Sequence, residues 1–176
     1  MSLESAVETA VREGCARAKA ASRRMALATT AQKNALLARI SGAIRASKPA
    51  LLAANAEDLA AADGKGVAPA LRDRLRLDDG RLEALAKAVD EVAALPDPVG
   101  ETVTETVRPN GLRVRRVRAP LGLIAMVYEA RPNVTVDASV LALKTGNAVV
   151  LRGGSEAIAS NRALAALVRQ ALVDEG

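Results

Sequence analysis

The chain has 176 residues and a formal net charge of +5, with 50% of residues apolar and 26% charged, proportions that suit a folded protein and exclude a disordered tail. It has no His and a lone Cys, Cys15, which excludes a Ser–His–Asp triad, a His-ligated zinc and an internal disulfide, so no metal site is expected. No apolar run reaches signal-peptide or transmembrane length, which leads us to expect a cytoplasmic protein without membrane contact.

From 3 to 95 the apolar residues recur at helical spacing. Val7, Val11, Cys15, Ala18 and Met25 form the first stripe, with Ser2 placed to cap it and Glu4 in the first turn. Cys15 lies on that stripe without a His to activate it, so it reads as a small hydrophobe, not a nucleophile. Leu36, Ile40 and Ile44 mark a second helix, and Pro49 suits the first turn of a third through Leu52 and Leu59, ended by Asp63-Gly64-Lys65-Gly66. Asp78 or Asp79 can cap a further helix carrying Leu82, Leu85, Val89 and Val92, which Pro96 stops. With Tyr128 the only aromatic residue, the core must be aliphatic, packed through many small residues.

After Pro98 the period changes. Thr102, Thr104 and Thr106 alternate with Val103, Glu105 and Val107, and Pro109-Asn110-Gly111 then turns the chain, the signature of a β-hairpin. Its second arm, 112–117, puts Leu112 and Val114 on one face and Arg113 and Arg115 on the other, so one side should be wet. Arg108, Arg113, Arg115, Arg116 and Arg118 hold much of the positive charge; solvent, an anionic substrate or an acidic partner could meet them. Nucleic acid is disfavoured, because single-strand binding adds stacked aromatic side chains that are absent here.

The run 121–128 is apolar without alternation and predicts a strand buried on both faces. A helix through Val136, Val140 and Leu143, a strand over 148–151 and a helix from Glu156 through Leu164, Leu167 and Val168 complete a β-α-β-α unit. Such a unit opens a doubly wound, nucleotide-binding sheet. Two candidate sites lie at the carboxyl ends of its strands. In Arg152-Gly153-Gly154-Ser155-Glu156, two glycines permit close approach to the backbone, Ser155 can cap, the helix dipole favours an anion and Arg152 offers a planar fork; an ordinary β–α turn reads equally well. In Tyr128-Glu129-Ala130-Arg131-Pro132-Asn133, Arg131 could clamp a carboxylate or phosphate and Asn133 could donate to an oxyanion, or Asn133 could simply cap the next helix.

These strings, with Pro120-Leu121-Gly122-Leu123-Ile124 before them and Gly146-Asn147-Ala148-Val149-Val150-Leu151 between, resemble the γ-glutamyl phosphate reductases, a branch of the aldehyde dehydrogenase superfamily. The resemblance covers essentially the whole chain. It implies an α/β, aldehyde dehydrogenase-like fold that is incomplete here. Residues 1–98 would form an amino-terminal helical part of the cofactor domain, 99–119 a β-hairpin oligomerisation arm, and 120–176 the first two β-α units of a Rossmann-like parallel sheet. The implied reaction is NADPH-dependent reduction of L-glutamyl 5-phosphate to glutamate 5-semialdehyde and phosphate in proline biosynthesis, through a Cys thiolate that lies downstream of Gly176. The chain alone is therefore expected to be inactive, and the full-length protein to be a homo-oligomer acting on a small molecule.

What carries over is the cofactor side: Arg152, Gly153, Gly154, Ser155 and Glu156. Arg152 stands where the superfamily commonly has a Lys at the adenosine ribose, and an Arg suits a 2′-phosphate. Glu156 would bind ribose hydroxyls or turn away, and either Arg131 or Asn133 would serve the oxyanion or position the substrate. A non-catalytic helical interaction module with a basic hairpin, or a nucleotide-sensing protein without a catalytic half, is the competing reading.

Overall fold

The structure, a computed structural model, describes residues 3–175. Five helices come first: α1 (Leu3–Met25), α2 (Thr30–Ala46), α3 (Lys48–Gly64), α4 (Pro69–Leu75) and α5 (Asp79–Ala94). An antiparallel ribbon follows, β1 (Thr102–Val107) with β2 (Arg113–Val117). The chain then runs through β3 (Leu123–Val127), α6 (Val134–Lys144), β4 (Ala148–Arg152), a 3-10 turn at Ser155–Ala157 and α7 (Ile158–Glu175).

Capping chemistry explains the boundaries. Thr29 and Gln32 form a reciprocal capping box at the start of α2, and the Asp78 carboxylate accepts the Arg81 N–H, 2.8 Å, at the start of α5. Pro49 sits in the first turn of α3, and α5 ends at Ala94, just before Pro96. The expected Ser2 cap lies outside the described residues, as does the Glu4 side chain. Helix α4 is an addition that the apolar periodicity does not announce, since it is a single short helix opened by Pro69.

Helices α2, α3, α5, α6 and α7 share one core built on Leu37, Ile40, Ile44, Leu82, Val89, Val136, Val140 and Leu164. Helix α1 lies against β3 and β4. Its apolar stripe is only half engaged: Cys15, Ala18 and Met25 are half-buried, whereas Val7 and Val11 are exposed.

The two sheets are small. Strands β3 and β4 pair in parallel, Leu123 opposite Ala148 through Val127 opposite Arg152, with α6 as the crossover. The expected burial of β3 on both faces does not occur, for Val127 is 74% exposed and Met126 is exposed too. A run without alternation records neighbours on both sides, and here β3 packs chiefly on β4 and, more lightly, on α1. The ribbon also departs from expectation, because both arms are exposed throughout and neither face is apolar. Its register pairs Val107 with Arg113 and Glu105 with Arg115 on one face, and Thr106 with Val114 on the other, so valines and arginines are mixed. The turn itself forms as its residues dictate: the Gly111 N–H donates to Arg108 O, 2.8 Å, and Gly111 adopts φ +82°.

A buried polar cluster anchors the root of the ribbon. Lys33, whose side chain is 1% exposed, pairs with Asp97 at 2.9 Å, and Asp97 also accepts the Thr30 hydroxyl and the Val99 N–H. Lys144 donates to Asn34 Oδ1 at 2.6 Å and to Ala93 O at 2.8 Å, neutralising a carbonyl at the end of α5. Burial pushes the Lys144 ammonium below its ordinary value, against the nearby Asp97 charge.

Candidate functional site

The carboxyl ends of β3 and β4 lie side by side, and the parallel ladder runs one residue past β3, with the Tyr128 N–H donating to Arg152 O at 3.0 Å. The bends that leave the strands are in contact: a Cβ built on Gly154 would lie 3.5 Å from the Ala130 nitrogen. A small apolar cluster of Ala62, Leu75, Ala130 and Ala157, with Leu59, Val67 and Leu71 around it, forms the floor beneath them. The end of α3 and the unanticipated α4 thus support both bends. Ala130 takes φ +37°, a left-handed conformation rare outside glycine, so this packing holds a strained residue in place.

Hydrogen bonds fix what lies behind the bends. Tyr128 Oη meets Thr135 Oγ1 at 2.6 Å, and Thr135 Oγ1 donates to Asn161 Oδ1 at 3.0 Å, tying β3 to α6 and α7. Gly153 leaves room for this network, since a Cβ there would meet Asn161 Nδ2 and lie 3.0 Å from Tyr128 Oη, so that those side chains would have to shift. On α3, Asn55 Nδ2 donates to Ser160 Oγ at 3.0 Å, and Asp58 accepts the Ala159 and Ser160 N–H groups at 3.0 and 2.8 Å. Asp58 is buried and caps α7 from another helix.

Arg152 is exposed at the last position of β4, and Arg131 is exposed in the adjoining bend; among the described residues neither forms an ion pair or a side-chain hydrogen bond. Asn133 does not cap α6 with its side chain; its Nδ2 donates to Asp137 Oδ2 at 2.8 Å instead. Burial pushes the Asp137 carboxyl above its ordinary value, with the Asn133 hydrogen bond opposing. Ser155 is exposed and opens the 3-10 turn without capping it, because Asp58 already serves the start of α7. The Glu156 carboxylate folds back over the Gly154 α-carbon.

The arrangement offers a ledge with two free guanidinium groups for anions and a fixed carboxamide between the strands' ends. The exposed Arg152 guanidinium is of a kind that suits an anion, whereas the α7 amides that a helix-terminus site would use are held by Asp58. Asp58, Asn55, Asp137 and Asn161 carry this architecture, yet each reads in the sequence as an ordinary helix-surface polar residue. Only the three-residue spacing of Asn55 and Asp58, one helical face, could have paired two of them.

No protein-family model matches the chain. Among curated proteins it is 57% identical to the γ-glutamyl phosphate reductase of Kineococcus radiotolerans over 97% of this chain and 39% of that protein. It is 52% identical to that of Geobacillus thermodenitrificans over 91% of this chain, again 39% of the relative. The chain thus spans about two fifths of the length of the curated relatives it matches. Its fold matches the crystal structure of γ-glutamyl phosphate reductase from Thermotoga maritima with a TM-score of 0.89 at 42% identity, covering 92% of this chain and 39% of that one. An aldehyde dehydrogenase from Listeria monocytogenes, 16% identical, shares the fold at a TM-score of 0.69 over 96% of this chain and 34% of its own. In sequence and in fold alike, the chain is therefore similar to part of the γ-glutamyl phosphate reductases.

Proposed function

We propose that this chain is the dinucleotide-binding start of an NADPH-dependent oxidoreductase that reduces L-glutamyl 5-phosphate to L-glutamate 5-semialdehyde and phosphate, a step of proline biosynthesis. The relatives' name supports the substrate. The single observation that carries the cofactor reading is Arg152, exposed and without a partner among the described residues, at the carboxyl end of a parallel strand beside a two-glycine bend. NADPH, when bound, supplies the hydride. Arg152 pairs with its 2′-phosphate, Gly153, Gly154 and Ser155 line the bend, and Glu156 takes ribose hydroxyls or swings aside. Arg131 pairs with an anionic group of the substrate, and Asn133 donates to the oxyanion that develops at the reacting carbonyl. Cys15, half-buried on α1, is given no part as a nucleophile in this reading.

In this reading residues 1–98 and 120–176 belong to one cofactor domain in the cytoplasm, and 99–119 form an arm for homo-oligomer assembly. NADPH and NADH titrations of the protein and its Arg152→Ala variant test it. NADPH affinity should fall about tenfold or more, the worth of one charge-assisted contact, while NADH affinity changes little. Equal losses for both nucleotides would exclude a 2′-phosphate role. The exposed ribbon, in which Arg108, Arg115 and Arg116 have no ion-pair partner among the described residues, supports the second reading, a non-catalytic module docking an acidic partner; absence of any nucleotide binding would favour it.

A further inference from the structure

The two polar side chains assigned roles in the 128–133 bend have different surroundings. Arg131 is exposed and has no partner among the described residues, so nothing there fixes its guanidinium. Asn133 is half-buried at the head of α6, one turn before Asp137, and its carboxamide is tethered to that residue at 2.8 Å. The Asn133 bond is the one side-chain hydrogen bond of Asp137, which forms no ion pair among the described residues. An ionised carboxylate only accepts hydrogen bonds, so the nitrogen of the Asn133 amide, not its oxygen, must face Asp137. An amide nitrogen carries two hydrogens, and the second stays available to a ligand.

Resting on the reading proposed above, we infer that Asp137 is a positioning residue: it holds the Asn133 carboxamide in the orientation that presents an N–H to the oxyanion, leaving Arg131 as a mobile clamp for substrate charge. Stabilisation of a developing charge depends on donors that are oriented in advance, and this pair supplies such a donor without a backbone rearrangement. Nothing in the sequence marked Asp137, which reads as a routine acidic residue in the first turn of a helix. Its half-buried place without a cation is costly for a carboxylate, and a merely structural role would be served as well by an uncharged acceptor.

The test uses the full-length enzyme that carries this chain, assayed with glutamate 5-semialdehyde, phosphate and NADP in the reverse direction. Asn133→Ala should lower kcat by about a hundredfold or more, the scale of one oxyanion donor, with KM little changed. Asp137→Asn, which lets the amide flip, should lower kcat about tenfold at similar KM, Asp137→Glu should recover part of it, and Asp137→Asn should add nothing on the Asn133→Ala background. Melting temperatures of the variants separate this from misfolding, because an unfolded fraction would reduce the double variant further. An active parent whose Asp137→Asn variant keeps its kcat, or whose two losses multiply, overturns the inference while the proposed function stands. A parent with no reductase activity overturns both.

Discussion

Asp58 does for α7 what a bound anion does elsewhere. Its carboxylate meets the amides of Ala159 and Ser160 inside the protein, so the helix start is satisfied before any ligand arrives. Asp58→Ala should therefore destabilise the fold by about 1–3 kcal/mol, the cost of a lost cap and unpaired buried donors, read as a shift in the denaturant midpoint. Gly153→Ala should be comparably harmful, since the added methyl meets Asn161 and Tyr128, whereas Ser155→Ala should change stability little at an exposed, non-capping position. The Gly-Gly-Ser bend was legible in the sequence; the reason for Gly153 was not, because Asn161 approaches from the following helix and leaves no local trace.

The acid limb of stability is set at the same scale. Burial would raise the Asp97 carboxyl, but Lys33, the Val99 N–H and the Thr30 hydroxyl outweigh it and hold the group below its ordinary value. A carboxyl depressed in the folded state stabilises the protein above its unfolded value, and the contribution disappears as pH falls through the folded one. Asp97→Asn should lower stability at neutral pH and flatten its decline in acid, a comparison made by unfolding both proteins from pH 7 downward. Asp137 acts in the opposite sense. Its raised value means the folded state gains protons first, so its buried charge is a penalty near neutrality that is relieved as pH falls towards the ordinary carboxylate range.

Among elements, the ribbon is the least supported. Two strands with both faces in water lack the third strand or packed helix that a hairpin needs for independent stability, and its anchor is the Lys33–Asp97 pair at its root. Amides of 102–117 should exchange with solvent orders of magnitude faster than those of α2 and α5, measurable by hydrogen exchange; equal protection would show that another surface covers the ribbon. Helix boundaries were read correctly at Pro49, Asp78 and Pro96, whereas the Thr29 capping box that opens α2 was not. Helix α4 was not read either, because about two turns carry too few apolar positions to show a period, although Leu75 becomes fully buried under the candidate site.

For the molecule as a whole, the distribution of apolar surface is uneven. The helical core is closed around Leu37, Ile40 and Val89, so Ile40→Ala should cost about 2–5 kcal/mol through the cavity it leaves. The sheet is open: Leu121 is 80% and Val127 74% exposed, beside a two-stranded edge that can pair with another chain. Sedimentation of the isolated chain should show association that weakens with Val127→Lys, and a stable monomer at all concentrations would contradict it. Apolar runs correctly located both strands, but a sequence records the neighbours a strand evolved with, so the expected burial of 121–128 outruns what these residues provide. The tyrosine at the head of the bend has one more consequence. As the sole aromatic ring of the chain, with its hydroxyl bonded to Thr135, it makes all near-ultraviolet absorption and emission a report on the strand ends alone. A spectroscopist can watch that one corner without labelling it, and must turn to the far ultraviolet to see anything else unfold.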